Sequence, residues 1–557
     1  MKNIKKNAIL EYEKTKRSIA LKHIRRTAFI FLFIFLVTLM PSCKEDDGSG
    51  HIFKMNIENN PKNLDPQLAE DKESLIIIEN MLEGLVRVLP EGGIVPAAAE
   101  SFDMSEDGLT YTFYLKQGQK WESLAEFSEP VTAADFVYAF HRLFDHAIGS
   151  PYGKDYVCIK NGGAVLNGTK NLDELGVKAL DEYTVEFTLE YPYYDFLSLL
   201  ARSPAMPCCE KFFVFSKGRY GMAADAVASN GAFYLKEWNF DPYWDNNYLI
   251  MRRNISYSDK NYVYPYSLNF FITGDSSLDR DNFLAGDTDC CIADRYDDKL
   301  FAEAVSYSTD SKTAGLVFNP NSEYFGGKPF REALAKSLNR EEYARNLPQG
   351  LTAAYGVIPA GITMQGRSYR ELVPDRTFSV YDAGFAELWE NALKSMRLDS
   401  VDNVKITVPD SFSGIDILYD ITDYWRENLL FDCGVEVVSE NEYNEKVANG
   451  DYEILLTELT AEQDSAYELL ENFASSGCFK SGEVPELMAI LNSSKTAVSI
   501  SDGTERFRTA ETRIIDNYLF VPICYESRYL VCGKDAANLA YYPFDDTVWF
   551  GEAKYFD

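Results

Sequence analysis

The chain has 557 residues and a formal charge of −32; 46% of it is hydrophobic, with 36 Tyr and 36 Phe. Such acidity disfavours nucleic acid and anionic lipid surfaces as partners. The apolar and aromatic content excludes general disorder and is ample for a large core.

Residues 1–42 open with nine Lys and Arg against Glu11 and Glu13, and an apolar run of thirteen residues follows at 28–40. A membrane-crossing helix needs about 20 residues. The order is instead that of a secretory signal: a charged start, an apolar middle, and the small residue Ser42 before a cut. Cys43 then becomes the first residue. This stretch resembles a bacterial lipoprotein signal, although Met40 and Pro41 replace its usual leucine and small residue. The alternative is an ordinary secretory signal with an incidental cysteine. Two acyl chains on Cys43 give stable attachment where one holds only marginally. Removing a net +7 from −32 leaves 515 residues at −39. That length predicts about three domains. Residues 44–50, charged and Gly/Ser-containing, read as a tether.

From there the sequence is globular to the end, without repeats. "LTYTFYLK" puts Leu109, Tyr111, Phe113 and Leu115 on one face of a strand, and the turn "SEDG" (105–108) before it predicts a hairpin. "YTVEFTL" repeats the alternation with Tyr183, Val185, Phe187 and Leu189. In "PVTAADFVYAFHRLF", Thr132 is an N-cap, Asp135 stands three residues on, and Phe136, Phe140 and Leu143 form the helical stripe. Residues 328–343 and 416–430 each read as an amphipathic helix. A last helix leads into a strand with Pro522 near its start. Mixed strands and helices predict an α/β fold in the broad sense.

Catalytic patterns are missing from the sequence. After the leader only His51, His141 and His146 remain, and H-E-x-x-H, G-x-S-x-G and Gly-rich phosphate loops do not occur. His141 and His146, five apart, do not share a helix face. No cofactor and no metal site is expected. "DRYDD" (294–298) reads as a solvated surface run. Nine cysteines follow Cys43, with no C-x-x-C, and Cys208-Cys209 and Cys290-Cys291 are adjacent pairs that rarely bridge internally. They read as small buried hydrophobes, with a disulfide network as the alternative. The chain is expected not to be an enzyme; a surface peptidase is the reading that the missing nucleophile–base set argues against.

Six stretches occur in order: "NLDPQLAEDKESLIIIENMLEGLVRV" (63–88); "GLTYTFYLKQGQKW" with "PVTAADFVYAFHRL"; "LGVKALDEYTVEFTLEYPYYDFLSLL" (175–200); "SNGAFYLKEW" (229–238); "KPFREALAKSLNRE" (328–341); and "VPICYESRYLV" (521–531). Together they resemble the oligopeptide-binding proteins of ABC importers, extracellular solute-binding protein family 5. The resemblance runs from about residue 52 to the end. It implies a two-lobed, hinged periplasmic-binding-protein fold of the peptide-binding class with an extra domain. One lobe is then 51–94, 230–312 and 517–557, with the extra domain 95–229 packed on it. The other is 313–516, with chain crossings near 312 and 516. The implied role is a monomeric, lipid-anchored binder in the cell envelope that passes oligopeptides to permease subunits. A non-peptide solute, or a sensor or adhesion role, is the alternative.

An extended peptide carries unpaired N–H and C=O groups that a cleft can pair as an added strand, and wet side-chain pockets tolerate varied sequences. A carboxylate then holds the peptide's ammonium. The place matching the family's acid is "LTELTAEQDSAYELL" (456–470), where Glu462 falls on the acid position and Asp464 lies two on. Here Leu456, Leu459 and Ala466 depart from the family's basic residue, Trp and Pro. Residues 313–321 are apolar where relatives have tyrosines and an acid. Tyr152 and Tyr443 fall on aromatic positions that line the cleft in relatives. Plain packing of the tyrosines and a solvated Glu462 at a helix start are the competing readings.

Overall fold

A computed structural model describes residues 50–557, except 90–91, 126, 244–245, 303, 376–377, 379, 462, 478–482 and 557. Cys43 and Glu462 therefore lie outside the described residues. None of the described helices is long and apolar enough to cross a membrane.

The spine of the molecule is a mixed sheet of eleven strands. In chain order its strands are β1 (Ile52–Ile57), β2 (Phe233–Asn239), β3 (Asn247–Arg253), β4 (Ser267–Ile272), β5 (Cys290–Ala293), β6 (Ala304–Phe318), β7 (Leu351–Ala353), β8 (Val404–Pro409), β9 (Cys433–Val438), β10 (Ile454–Leu459) and β11 (Val521–Gly533). The spatial order is β9-β8-β10-β6-β11-β5-β1-β4-β3-β2, with β7 also on β11. β1 runs parallel to β4, and β8 runs parallel to β9. β6 and β11, the two longest strands, pair antiparallel from Ala304↔Gly533 to Leu316↔Val521.

Those two strands join separate cores. Leu530 and Cys532 pack with Phe53, Met55 and Phe270. Val521, Ile523 and Cys524 pack with Leu316, Ile406 and Trp425. The stretch between, Tyr525–Arg528 opposite Thr309–Thr313, carries a bulge at Asp310/Lys312. A bulge bends a strand and increases its twist, which suits a passage between two bodies. Leu519 and Phe520, just before β11, pack with Val317 and Phe473 in a further core, so Tyr525–Arg528 lies between residues of separate cores.

A four-stranded antiparallel sheet at 99–188 sits beside the first core. Its Thr110–Leu115 strand buries Tyr111, Phe113 and Leu115 as the alternation predicts. The turn is closed by Gly108 N–H donating to Ser105 O at 2.9 Å. Phe113 and Phe187 meet edge to face, 5.8 Å between centroids, within the same cluster as Phe53. The helix Ala133–Phe144 has the expected capping box of Thr132 and Asp135.

One sequence reading changes. Residues 328–343 form two helices, Lys328–Ser337 and Arg340–Tyr343. The break at Leu338–Asn339 turns Arg340 inward, where its Nε donates to the Ala354 carbonyl at 2.7 Å and its guanidinium also reaches the Pro522 carbonyl. A buried guanidinium needs such acceptors. The acidic run 294–298 lies at the surface as expected, with Asp294 and Asp298 exposed. Asp294 accepts from Arg528 at 2.8 Å, and Asp297 pairs with Arg280 at 2.8 Å while capping Asp298–Phe301.

Candidate functional site

Asp464 follows β10 and precedes the helix Ala466–Ser475, whose N-cap is Ser465. Its carboxylate accepts from the Thr363 N–H at 2.6 Å and from the Thr363 hydroxyl. Thr363 begins a two-residue strand paired with Arg367–Ser368. Two residues on, the Gln365 N–H donates to Asp195 Oδ1 at 3.2 Å. Asp195 belongs to the first body, where it precedes the helix Phe196–Ala201 and accepts from Ser198. Two backbone nitrogens two residues apart are at most about 7 Å from each other. Asp464 and Asp195 therefore come from different bodies to neighbouring points on one segment.

Further contacts join the bodies at this place. Gln365 Nε2 donates to the Tyr194 carbonyl, Tyr194 N–H donates to Ala497 O at 3.3 Å, and Gly93 N–H donates to Gly366 O at 2.8 Å. Gly366 has φ +72°, and a Cβ there would fall 2.7 Å from Gly93 N, so only glycine allows the approach. Tyr194 packs in a core of the second body, beside Val317 and Phe520.

The group is electrostatically unusual. Asp464 keeps contact with water although protein surrounds it. That environment disfavours its charge and pushes its carboxyl up to about 6, opposed by the Thr363 bonds and by Arg202. Burial also pushes Asp195 up to about 7, with Asp464 adding repulsion. Asp545 also keeps contact with water; the protein around it raises its carboxyl, opposed by Arg202. Burial followed by Asp545 raises Glu79 to about 8. Arg202 lies 3.6 Å from Asp155 and supplies the opposing positive field. This face gathers several carboxylates whose charge is disfavoured, with Asp464 and Asp545 open to water, a suitable setting for a ligand cation.

Tyr152 joins this group. Its hydroxyl donates to the Ala69 carbonyl, and Glu70, Arg202 and Asp545 act on it electrostatically. Tyr443 lies on Glu440–Asn449 and donates to the Leu456 carbonyl of β10 at 2.9 Å, so it braces the strand that leads to Asp464. Asp195, Arg202, Asp545 and Glu79 were missed by sequence reasoning. Glu79 and Asp195 lie inside quoted stretches, but nothing local marks them among so many acids. The departures Leu456, Leu459 and Ala466 are all buried core positions. Where the two bodies join, Lys312 Nζ lies 3.2 Å from Glu458, and Glu526 is raised by burial and by Glu458. A separate cavity of about 340 Å³, bordered by Lys336, Phe378, Arg508 and Tyr518, shares none of the residues around Asp464.

Two bodies joined by crossing strands, with charged groups from each brought together beside Thr363–Gln365, define a two-lobed ligand-binding protein. The model of the bacterial extracellular solute-binding proteins, family 5 (middle), matches residues 93–481. The chain belongs to that family, whose members bind solutes. It is 26% identical over 533 residues to the oligopeptide-binding protein OppA of Bacillus subtilis, covering 90% of this chain and 94% of that protein. It is 24% identical over 490 residues to the periplasmic murein peptide-binding protein MppA of Escherichia coli, covering 84% and 86%. The fold matches MppA in its unliganded open form with a TM-score of 0.69 at 22% identity, covering 91% of this chain and 99% of that one. It matches Listeria monocytogenes OppA bound to peptide with a TM-score of 0.59 at 23% identity, covering 91% and 100%. These likenesses establish the two-lobed α/β fold.

Proposed function

We propose that this chain captures oligopeptides between its lobes and delivers them to the permease of an ABC importer, tethered to a membrane through lipidated Cys43. One lobe is 51–94, 230–312 and 517–557 with 95–229 packed on it, the other is 313–516, and the hinge of the return passage falls along 525–528. The observation that carries the reading is the acid group in which Asp464 and Asp195 meet on the segment Thr363–Gln365 from different lobes. A peptide ammonium seated there would contact both lobes. A ligand that binds the joined arrangement better shifts the population toward it. Glu462, at the family's acid position, is the second candidate anchor, and Tyr152 and Tyr443 are the aromatic walls. The mechanism is capture and release without catalysis, by a monomer.

The test is a titration with random-sequence peptide pools, read by melting temperature and by the radius of gyration in scattering. Peptides are expected to raise the first and reduce the second. If neither moves, another solute is the ligand. Mass spectrometry of ligand co-purified from the native host then names it.

Lipidation has its own test. Cys43→Ser should move the protein from the detergent phase to the soluble fraction, or block processing of the leader. Unchanged partitioning would remove the anchor from this reading.

A further inference from the structure

Cys290 on β5 and Cys532 on β11 are direct partners in an antiparallel ladder. Which kind of partner follows from one neighbouring bond. Gly533 N–H donates to Asp289 O at 3.0 Å. That bond belongs to the adjacent pair, so Cys290 and Cys532 form a non-hydrogen-bonded pair. In such pairs the Cα atoms are about 4.5 Å apart and the side chains lie closer than in the alternate kind. Disulfides span Cα separations of about 4.4–6.8 Å. Both side chains are fully buried, and both belong to the core cluster of the first lobe. Cys291, the next residue, packs in a different cluster with Leu300, Tyr529 and Val531. The eight described cysteines are all free thiols in this structure.

We propose that Cys290 and Cys532 are a disulfide-forming pair, oxidised by thiol–disulfide exchange as the chain folds outside the cytoplasm. The family is extracellular, and disulfides persist in oxidising compartments. The oxidant is a disulfide, either of a small thiol or of an exchange protein. One cysteine, as thiolate, attacks it and forms a mixed disulfide. The other thiolate displaces the second sulfur. The Cys290–Cys532 bond forms, the oxidant's sulfur–sulfur bond breaks, and two reduced thiols leave with the two protons. In the folded chain the neighbouring Cys532 thiol and burial hold the Cys290 thiol far above its ordinary range. Reaction is therefore confined to the stage before β11 closes over β5. The bridge would bind the first-lobe end of β11 covalently to β5. Bending would then fall on Tyr525–Arg528, and peeling of β11 from the sheet would be prevented. The last segment, which carries Asp545 into the acid group, follows directly from the stapled strand.

The experiment is refolding of the processed chain in oxidised and reduced glutathione, then alkylation, digestion and mass spectrometry without reduction. One linked peptide pair joining Cys290 to Cys532, lighter by two hydrogens, is expected, with Cys291 alkylated. The bridged protein should melt above its reduced form, and Cys532→Ala should remove that difference. Cys290→Ala serves equally if Cys532→Ala does not fold. Full alkylation of Cys290 and Cys532 after oxidative refolding, or a bridge through Cys291, overturns the assignment.

Discussion

Asp464→Asn is expected to weaken binding of a peptide with a free amino terminus by about ten- to a hundred-and-fifty-fold. A charge-assisted hydrogen bond contributes roughly 1.5–3 kcal/mol, and about 1.4 kcal/mol is a decade of affinity. Asn keeps the size and an acceptor for the Thr363 N–H, so the electrostatic part is isolated. Acetylating the peptide should abolish the difference between variant and parent. The pH dependence sharpens the test. Asp464 and Asp195 are raised to about 6 and about 7. Between about pH 4, where they would ionise in the unfolded chain, and pH 7, the folded state holds more protons than the unfolded one. Stability of the free protein therefore falls as pH rises through that window. Capture of an ammonium needs the ionised acids, so affinity rises through the same window. The two slopes are opposite, and Asp464→Asn should flatten both. Calorimetric titration of free and acetylated forms of one peptide, at pH 5 and pH 8 by choice, reads this directly. If Asp464→Asn, Glu462→Gln and their double variant all bind the free peptide like the parent, the ammonium sits elsewhere.

Much of the scaffold was legible because its signals are local. The strand Thr110–Leu115 alternates with period two, and the helix Ala133–Phe144 announces its own N-cap. The quoted motifs, read together, carried the fold. The binding face was legible only in part. Asp464 came from its place in a motif, whereas Asp195 acquires meaning only because Gln365, 170 positions away, donates to it. Arg202 and Asp545 meet through the same long-range geometry. In a chain with 86 Asp and Glu, spacing cannot select the few that the fold brings together. The break after Ser337 was hidden for a related reason. The periodicity of 328–343 is helical throughout, and the turn is decided by acceptors for Arg340 at Ala354 and Pro522. The pairing of Cys290 with Cys532 likewise depends on register between strands 242 positions apart in sequence, 532 less 290.

Glu511→Ala is expected to harm the fold severely. Glu511 lies on the helix Ile500–Asp516 and is fully buried. One carboxylate oxygen accepts from Val357 N–H at 2.6 Å and Ile358 N–H at 3.1 Å. The other accepts from the Tyr369 hydroxyl and from Arg370 Nη1, both at 3.2 Å. Arg370 also donates from Nη2 to the first oxygen and from Nε to the Ile358 carbonyl at 2.6 Å. A buried ion pair adds little over a well-packed apolar pair, but removing one partner strands the other charge. Here it also strands two amides and a hydroxyl. The loss should be about 3–5 kcal/mol, read as a lower midpoint in urea with the slope unchanged. Glu511→Gln should lose less, because it keeps an acceptor for the amides. Arg370→Met alone should be harmful too, since the carboxylate then stays buried without its cation. Arg370→Met with Glu511→Leu should recover part of either loss and still fall short of the parent, because the Val357 and Ile358 amides remain unpaired. A loss below about 1 kcal/mol for Glu511→Ala would place the site among surface ion pairs and contradict the enclosed geometry that holds residues 356–370 beside Asp464.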